Sequence, residues 1–323
     1  MKKQFLYIFV LCLTTLISCE NEIFFQQEHQ EPQLLMNAFL EAGKKENKVY
    51  LRIAKDAEMV QVGNGSVKLF INGEEKETAE AKILWINSGL KDSLKACVLE
   101  TPLNPGDHIR LEATAENGKF HASAETEMPY PVSQIEVDTC RTLFKIDYGM
   151  TECMQYKIKI NDRPGEKNYY QLVIQEGIYF GEELPDDWEP TNYVEIINQE
   201  DVVLTDGHMT TSDDDEYNFM DMAIRNVNNV FTDRRFPDAS YTLKVYTRYY
   251  EPDVYVMDYA IRILSISEPM YRYLRALNCL QSEDYDETFM EPVIIPDNVE
   301  GGLGFVGASA DSKIIIRIID KRH

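Results

Sequence analysis

What this chain of 323 residues lacks most is chemistry-bearing side chains in a recognisable spacing. Its five histidines, His29, His108, His121, His208 and His323, include no pair spaced like the H-E-x-x-H of a zinc protease. His108 and His121 could face each other across a hairpin at Asn117-Gly118, but a metal needs more than two ligands, so the reading as surface side chains is the stronger. No C-x-x-C occurs, which argues against a zinc knuckle or a dithiol redox pair. No G-x-S-x-G elbow occurs either, since Ser309 in GASAD lacks the second glycine. Gly301-Gly302-Leu303-Gly304 has neither the Walker spacing nor its Lys-Ser/Thr ending, and a strand, not a helix, follows it. Those glycines read as a turn or as close packing against a neighbouring helix. A hydrolase is therefore the weakest functional reading, and the chain reads as a non-enzyme.

Positive charge is the next shortage. Lys and Arg number 32 against 55 Asp and Glu, a formal charge of −23. Such a balance repels nucleic-acid phosphates and anionic headgroups, which excludes nucleic acid as a partner. With 44% hydrophobic and 27% charged residues the body is nonetheless globular, not an acidic disordered tail. No repeat of fixed period and no low-complexity tract is present.

Long apolar runs are missing too, apart from one at the start. Lys2 and Lys3 precede an apolar run over residues 5–13, which ends in Leu16-Ile17-Ser18-Cys19. The run is too short for a membrane span of about twenty residues and reads as a signal peptide over residues 1–18. Leu-Ile-Ser-Cys resembles the bacterial lipobox, in which the cysteine is acylated, palmitate included, and becomes the first residue. Cys19 is then the lipid anchor and the membrane the first partner. Residues 19–33 form an acidic tether, and Glu20 and Glu22 resemble a surface-export signal. Loss of Lys2 and Lys3 with the leader takes the charge from −23 to −25.

Four cysteines remain: Cys97, Cys140, Cys153 and Cys279. A disulfide would favour Cys140 with Cys153, which closes a short loop between two predicted strands; four free thiols are the other reading. Strand-like alternation begins at 34–40 and 49–53 and recurs at 66–71, 83–86, 95–99, 108–115 and 119–127. Asn72-Gly73, Pro105-Gly106-Asp107 and Asn117-Gly118 supply turns between them. The pattern predicts a mainly β chain of two consecutive sandwich-like domains, the first of immunoglobulin or transthyretin type over 34–130. The second, over 131–323, has strands at 132–138, 154–160, 169–175 and 313–319, and a long hairpin of 241–250 with 254–266. It also carries the one principal helix, near 268–281, with Ser267 as its predicted N-cap and Pro269 in its first turn.

Two acidic stretches interrupt the second domain. Asp213, Asp214, Asp215, Glu216 and Asp221 are the candidate ligands for a structural calcium ion, the only cofactor entertained. They lack the order and glycine of an EF-hand, so a solvated loop is the competing reading. Asp284, Asp286 and Glu287 form a second, weaker acidic group. Tyrosine is abundant, 19 in all, and Trp188, Tyr249 and Tyr250 are the candidate ligand contacts, able to stack on a sugar ring or grip a peptide. Strands are rich in tyrosine anyway, and a core or surface-ladder role competes.

LSISEPMYRYLRALN followed by EPVIIPDNVEGGLGFVGA, behind a lipobox and a sandwich, resembles the Bacteroidota lipoprotein family designated domain of unknown function 4249. The resemblance implies an outer-membrane, lipid-anchored, surface-exposed protein that accompanies a TonB-dependent receptor as an accessory in ligand capture or assembly. It carries over no catalytic residue and leaves the ligand unnamed. A fimbrillin-like structural or adhesive subunit is the alternative.

Overall fold

Successive side chains of a strand point to opposite faces, so a period of two buries one row and exposes the next. That arithmetic governs most of this chain. The computed structural model describes residues 31–55, 58–87, 92–146, 149–163, 165–205, 225–236, 239–282 and 292–321, without the side chains of 85–87, 92 and 93. The described chain is mainly β and sandwich-like, with one α-helix. No described helix is long and apolar enough to cross a membrane. The leader, Cys19 and all five candidate calcium ligands lie outside the described residues, as does the acidic group at 284–287.

The first eight strands are β1 (Gln33–Glu41), β2 (Asn47–Lys55), β3 (Glu58–Gln61), β4 (Gly65–Ile71), β5 (Glu74–Asn87), β6 (Asp92–Leu99), β7 (His108–Ala115) and β8 (Phe120–Glu127). In β1 the even residues Leu34, Met36, Ala38 and Leu40 are buried, and in β7 the odd residues Ile109, Leu111, Ala113 and Ala115. These rows meet Val49 and Leu51 of β2 and Val67 and Leu69 of β4 in one hydrophobic core. Burial of each large side chain stabilises by roughly 1.5–3 kcal/mol. The sheet wraps round this core at β5, whose residues 74–80 pair with β4 and whose residues 81–87 pair with β6. Asn72 (φ 53°) and Gly73 (φ 85°) form the expected β4–β5 turn, and Asn117 (φ 56°) with Gly118 (φ 82°) the β7–β8 turn.

The remaining elements are β9 (Ile135–Ile146), β10 (Gly149–Asn161), β11 (Tyr169–Tyr179), β12 (Asn192–Tyr193), β13 (Val230–Thr232), β14 (Ser240–Arg248), β15 (Val256–Ile266), α1 (Glu268–Gln281), β16 (Val299–Glu300) and β17 (Leu303–Asp320). Strands β14, β10 and β9 make a three-stranded sheet, while β11, β15 and β17 continue the sheet of the first half. Tyr156 and Ile158 of β10, Leu172 and Ile174 of β11, Leu243 of β14 and Tyr259 and Ile261 of β15 fill a second core between them. The expected hairpin of 241–250 with 254–266 is not formed. Strand β14 pairs with β10, whereas β15 pairs with β11 and β17, so the turn at 251–253 carries the chain from one sheet to the other. Alternation marks both strands but cannot say which neighbour each takes.

Helix α1 falls where the sequence places it and packs Met270 and Leu274 against Ile266 and Phe305. Strand β17 is far longer than the expected 313–319, at 18 residues. Its first part runs parallel to β1, from Leu35 opposite Leu303 to Glu41 opposite Ser309. Its second part runs antiparallel to β15, from Ile266 opposite Ser309 to Val256 opposite Asp320. One strand thus serves both cores, and it can do so only because its glycines let β1 approach. A Cβ at Gly304, where φ is +121°, would lie 2.2 Å from the Met36 carbonyl oxygen, and one at Gly302 would lie 2.4 Å from that of Leu34.

Gly304→Ala is therefore expected to lower the unfolding free energy by about 3 kcal/mol or more, through strain and a lost register. Gly43→Ala, where φ is +69° but no atom lies within 4 Å, should lose only about 1 kcal/mol. Urea unfolding of both variants checks this. Equal losses would show that the contact with β1 is not the cause.

Candidate functional site

The residues that make the sequence recognisable turn out to hold the fold together. Ser267 precedes α1 as predicted, yet its hydroxyl does not cap the helix. It accepts from the Ala308 amide at 3.0 Å, while its own amide donates to the Ala308 carbonyl at 2.8 Å. Two residues earlier on β17, the Asn298 side chain does the same for Val306, accepting from its N–H at 2.9 Å and donating to its carbonyl at 2.8 Å. Asp297 accepts from the Val299 amide at 2.6 Å and from that of Gly304 at 3.3 Å, shaping the turn before β16. A Cβ at Gly307 would meet Met270 Cβ at 2.8 Å, so this glycine seats α1 on β17, whereas Gly302 and Gly304, expected to form a turn or pack against that helix, pack against β1. The glycines at 302, 304 and 307 form a packing seam.

The remaining sequence candidates scatter. Cys140 and Cys153 are free thiols, and no disulfide joins them. The β9–β10 register sets Cys140 opposite Gln155 and Cys153 opposite Thr142, two residues out of step; Cys140 is exposed and Cys153 is buried beside Ile197 and Tyr246. His108 pairs with Glu127 and His121 with Thr114, so the two histidines sit toward opposite ends of the β7–β8 ladder and cannot share a metal. No cluster of three or more metal-ligating side chains occurs among the described residues.

Trp188 lies over Gly177 and meets Tyr179 edge-on at 6.2 Å, which folds the acidic loop back on β11. Tyr249 is buried beneath the Arg141 guanidinium, 4.4 Å from its ring centre. Tyr250 donates to Glu176 Oε2 at 2.9 Å, and Tyr259, opposite Glu176 on β15, donates to Oε1 at 2.9 Å. The buried Glu176 carboxylate is thereby braced by two phenols. Trp188, Tyr249 and Tyr250, the three predicted contacts, do not line the groove between Tyr193 and Phe39.

That groove, of about 410 Å³, opens where the two halves of the sheet meet. Its floor is the outer face of β11, β15 and β17. Arg262 is central: its Nε and Nη2 donate to Asp311 Oδ2 at 3.0 and 2.6 Å, and its Nη1 donates to Gln175 Oε1 at 3.3 Å. Burial works against the Arg262 charge, but the Asp311 hydrogen bond and carboxylate outweigh it and raise the pKa above the ordinary value. Val173 and Leu264 supply the apolar part of the floor. Tyr193, opposite Gln175 in the β11–β12 pair and 77% exposed, forms one bank. The other bank is Phe39, 44% exposed, backed by Phe305 at 5.3 Å and Tyr273 at 5.9 Å. Glu41 and Lys44 form an ion pair at one end. The sequence held no signal for this site, because its residues come from six elements and follow no local spacing.

A family model described as "Domain of unknown function (DUF4249)" matches residues 20–315. The chain belongs to that family. No curated protein matches it. The DUF4249 span takes in the first core, the second core apart from the end of β17, the Ser267 and Asn298 contacts and the whole groove.

Two predictions follow from this geometry. Asn298→Ala strands the buried N–H and C=O of Val306 and should cost about 2–3 kcal/mol in urea unfolding, and Asn298→Asp, which keeps the acceptor but sets a carboxylate oxygen against the Val306 carbonyl, should recover little of it at neutral pH. The second concerns alkali. Burial pushes the Cys97 thiol from 9.0 up to about 12, with the Glu80 charge adding to it, and burial followed by Asp201 pushes Tyr241 from 10.0 up to about 12. Both groups keep their protons in the fold after the unfolded chain has released them. Stability should accordingly be full below pH 9.0 and fall as pH rises toward about 12. Denaturant titrations across that range would show it, with a shallower fall in Cys97→Ala.

Proposed function

We propose that this DUF4249 chain is a non-enzymatic, lipid-anchored protein of the outer-membrane surface. In this reading it captures a ligand in the groove above Arg262 and works as the accessory partner of a TonB-dependent receptor. The observation that carries the reading is the groove itself: exposed rings of Tyr193 and Phe39 stand over a polar network already assembled on paired strands. A site organised before its ligand arrives loses little entropy on binding, which suits capture. The Leu16-Ile17-Ser18-Cys19 leader supports the anchor, and the family resemblance supports the receptor. Acylation of Cys19 would hold the body at the membrane through a tether of residues 19–33, long enough for the groove to face away from the bilayer.

The test is recovery of the protein from intact membranes after mild crosslinking. The reading expects copurification of an outer-membrane barrel with the wild-type chain, and loss of Cys19→Ser from the membrane fraction. Recovery of the wild-type lipoprotein alone would overturn the receptor partnership, and membrane retention of Cys19→Ser would overturn the lipid anchor.

A further inference from the structure

We propose that the ligand of the groove is a neutral oligosaccharide; this rests on the ligand-capture reading above and gives it a chemical class. Three observations point the same way. First, the floor offers no free backbone. Val173 is paired with Arg262, and Leu264 with Asp311, within continuous ladders, so main-chain donors and acceptors there are already used. An extended peptide recognised by strand addition needs unpaired main-chain groups. What the floor does offer is side-chain polarity of the planar, multivalent kind: a guanidinium, a carboxylate and a carboxamide joined edge to edge. Asp311 spends Oδ2 on Arg262, and hydroxyl pairs of a sugar ring match such paired acceptors and donors in spacing and direction.

Second, the banks are aromatic and stand on opposite sides of this polar floor. The apolar C–H face of a pyranose stacks on an exposed ring while its equatorial hydroxyls reach sideways to polar groups, so alternating aromatic and planar polar surfaces suit a sugar better than a purely apolar ligand. Tyr193 and Phe39 are both exposed, so their rings are open to a ligand. The volume of about 410 Å³ lies inside the range of about 300–1,000 Å³ that small-ligand sites occupy.

Third, charge selects against anions. The chain carries −23, and within the groove Arg262 is paired with Asp311 and Lys44 with Glu41. A sulfated, uronate or phosphorylated ligand would meet a repulsive field and no uncommitted cation among the groove residues.

The experiment uses the detergent-solubilised full-length protein on an array of neutral glycans of gluco, manno, galacto and xylo configuration, with hits titrated by calorimetry. Sulfated glycans and neutral hexapeptides form the comparison arms. The proposal expects a neutral glycan to bind, with affinity lowered at least tenfold in Tyr193→Ala and in Asp311→Asn. Tyr193 is so exposed that its truncation leaves folding intact, and the Asp311 change keeps the side-chain shape; thermal melting of both variants verifies this. Absence of neutral-glycan binding would overturn the proposal, as would binding that neither variant weakens. Tyr193-dependent binding of peptides or sulfated glycans alone would overturn the ligand class yet leave ligand capture standing. Glycan binding without a copurifying receptor would do the reverse, supporting the class and overturning the partnership.

Discussion

Everything in this fold depends on β17 changing partners at Ser309. Up to that residue the strand lies parallel to β1 and helps close the first core; beyond it the strand lies antiparallel to β15 and helps close the second. A strand in transit between partners has an edge that no ladder satisfies, and a buried unpaired amide or carbonyl costs about 1–3 kcal/mol. Here the gap is filled group by group. Asn298 serves Val306 and Ser267 serves Ala308, after which β15 takes over at Ser309. The glycines at 302, 304 and 307 are the steric side of the same device, since a Cβ at any of them would collide with β1, Phe305 or α1.

The negative charge of the chain is handled by keeping it outside or bracing it within. Asp258, 1% exposed, receives Nε and Nη2 of Arg317 at 2.9 Å each. Asp201, 2% exposed, accepts three backbone amides, those of Val203, Leu204 and Lys244, and pairs with no cation among the described residues. Glu176 relies on phenols. Each solution obeys one rule, that a buried carboxylate needs donors more than it needs an opposite charge. The Arg262–Asp311 pair differs in being half open and in facing a cavity, and that sets it apart as chemistry available to a ligand.

The sequence was readable wherever structure is local. Period-two alternation located most strands of the first half, though it missed β3 and all of β5 but residues 83–86; Asn-Gly pairs located two of its turns, and the spacing of Met270, Tyr273, Leu274 and Leu277 located α1. It was unreadable wherever a residue answers to a distant partner. Ser267 has the composition of an N-cap, but the amide it serves lies 41 positions downstream, at Ala308. Tyr241 to Tyr250 and Val254 to Ile266 look like two arms of a hairpin because nothing local reports that the chain changes sheets between them. Cys140 and Cys153 lie on paired strands, as the loop length suggested, yet a two-residue offset in register separates their thiols. The groove failed to announce itself for the same reason: Tyr193 is one tyrosine among 19, and only the β11–β12 pairing sets it beside Gln175 and Arg262.

The meeting of β1 with β17 also has a kinetic side. Asn37 accepts from the Phe305 amide across 268 positions, so the first and last strands of the described body are immediate neighbours. Contacts of such sequence separation form late, because the loop they close is long and its entropy must be spent before the contact rewards it. Until β17 arrives, β1 shows a bare edge to its surroundings, and neither core has its full wall. A chain made from its N-terminus is thus held short of the native state until β17 has emerged, and its most aggregation-prone moment is the interval just before β17 docks.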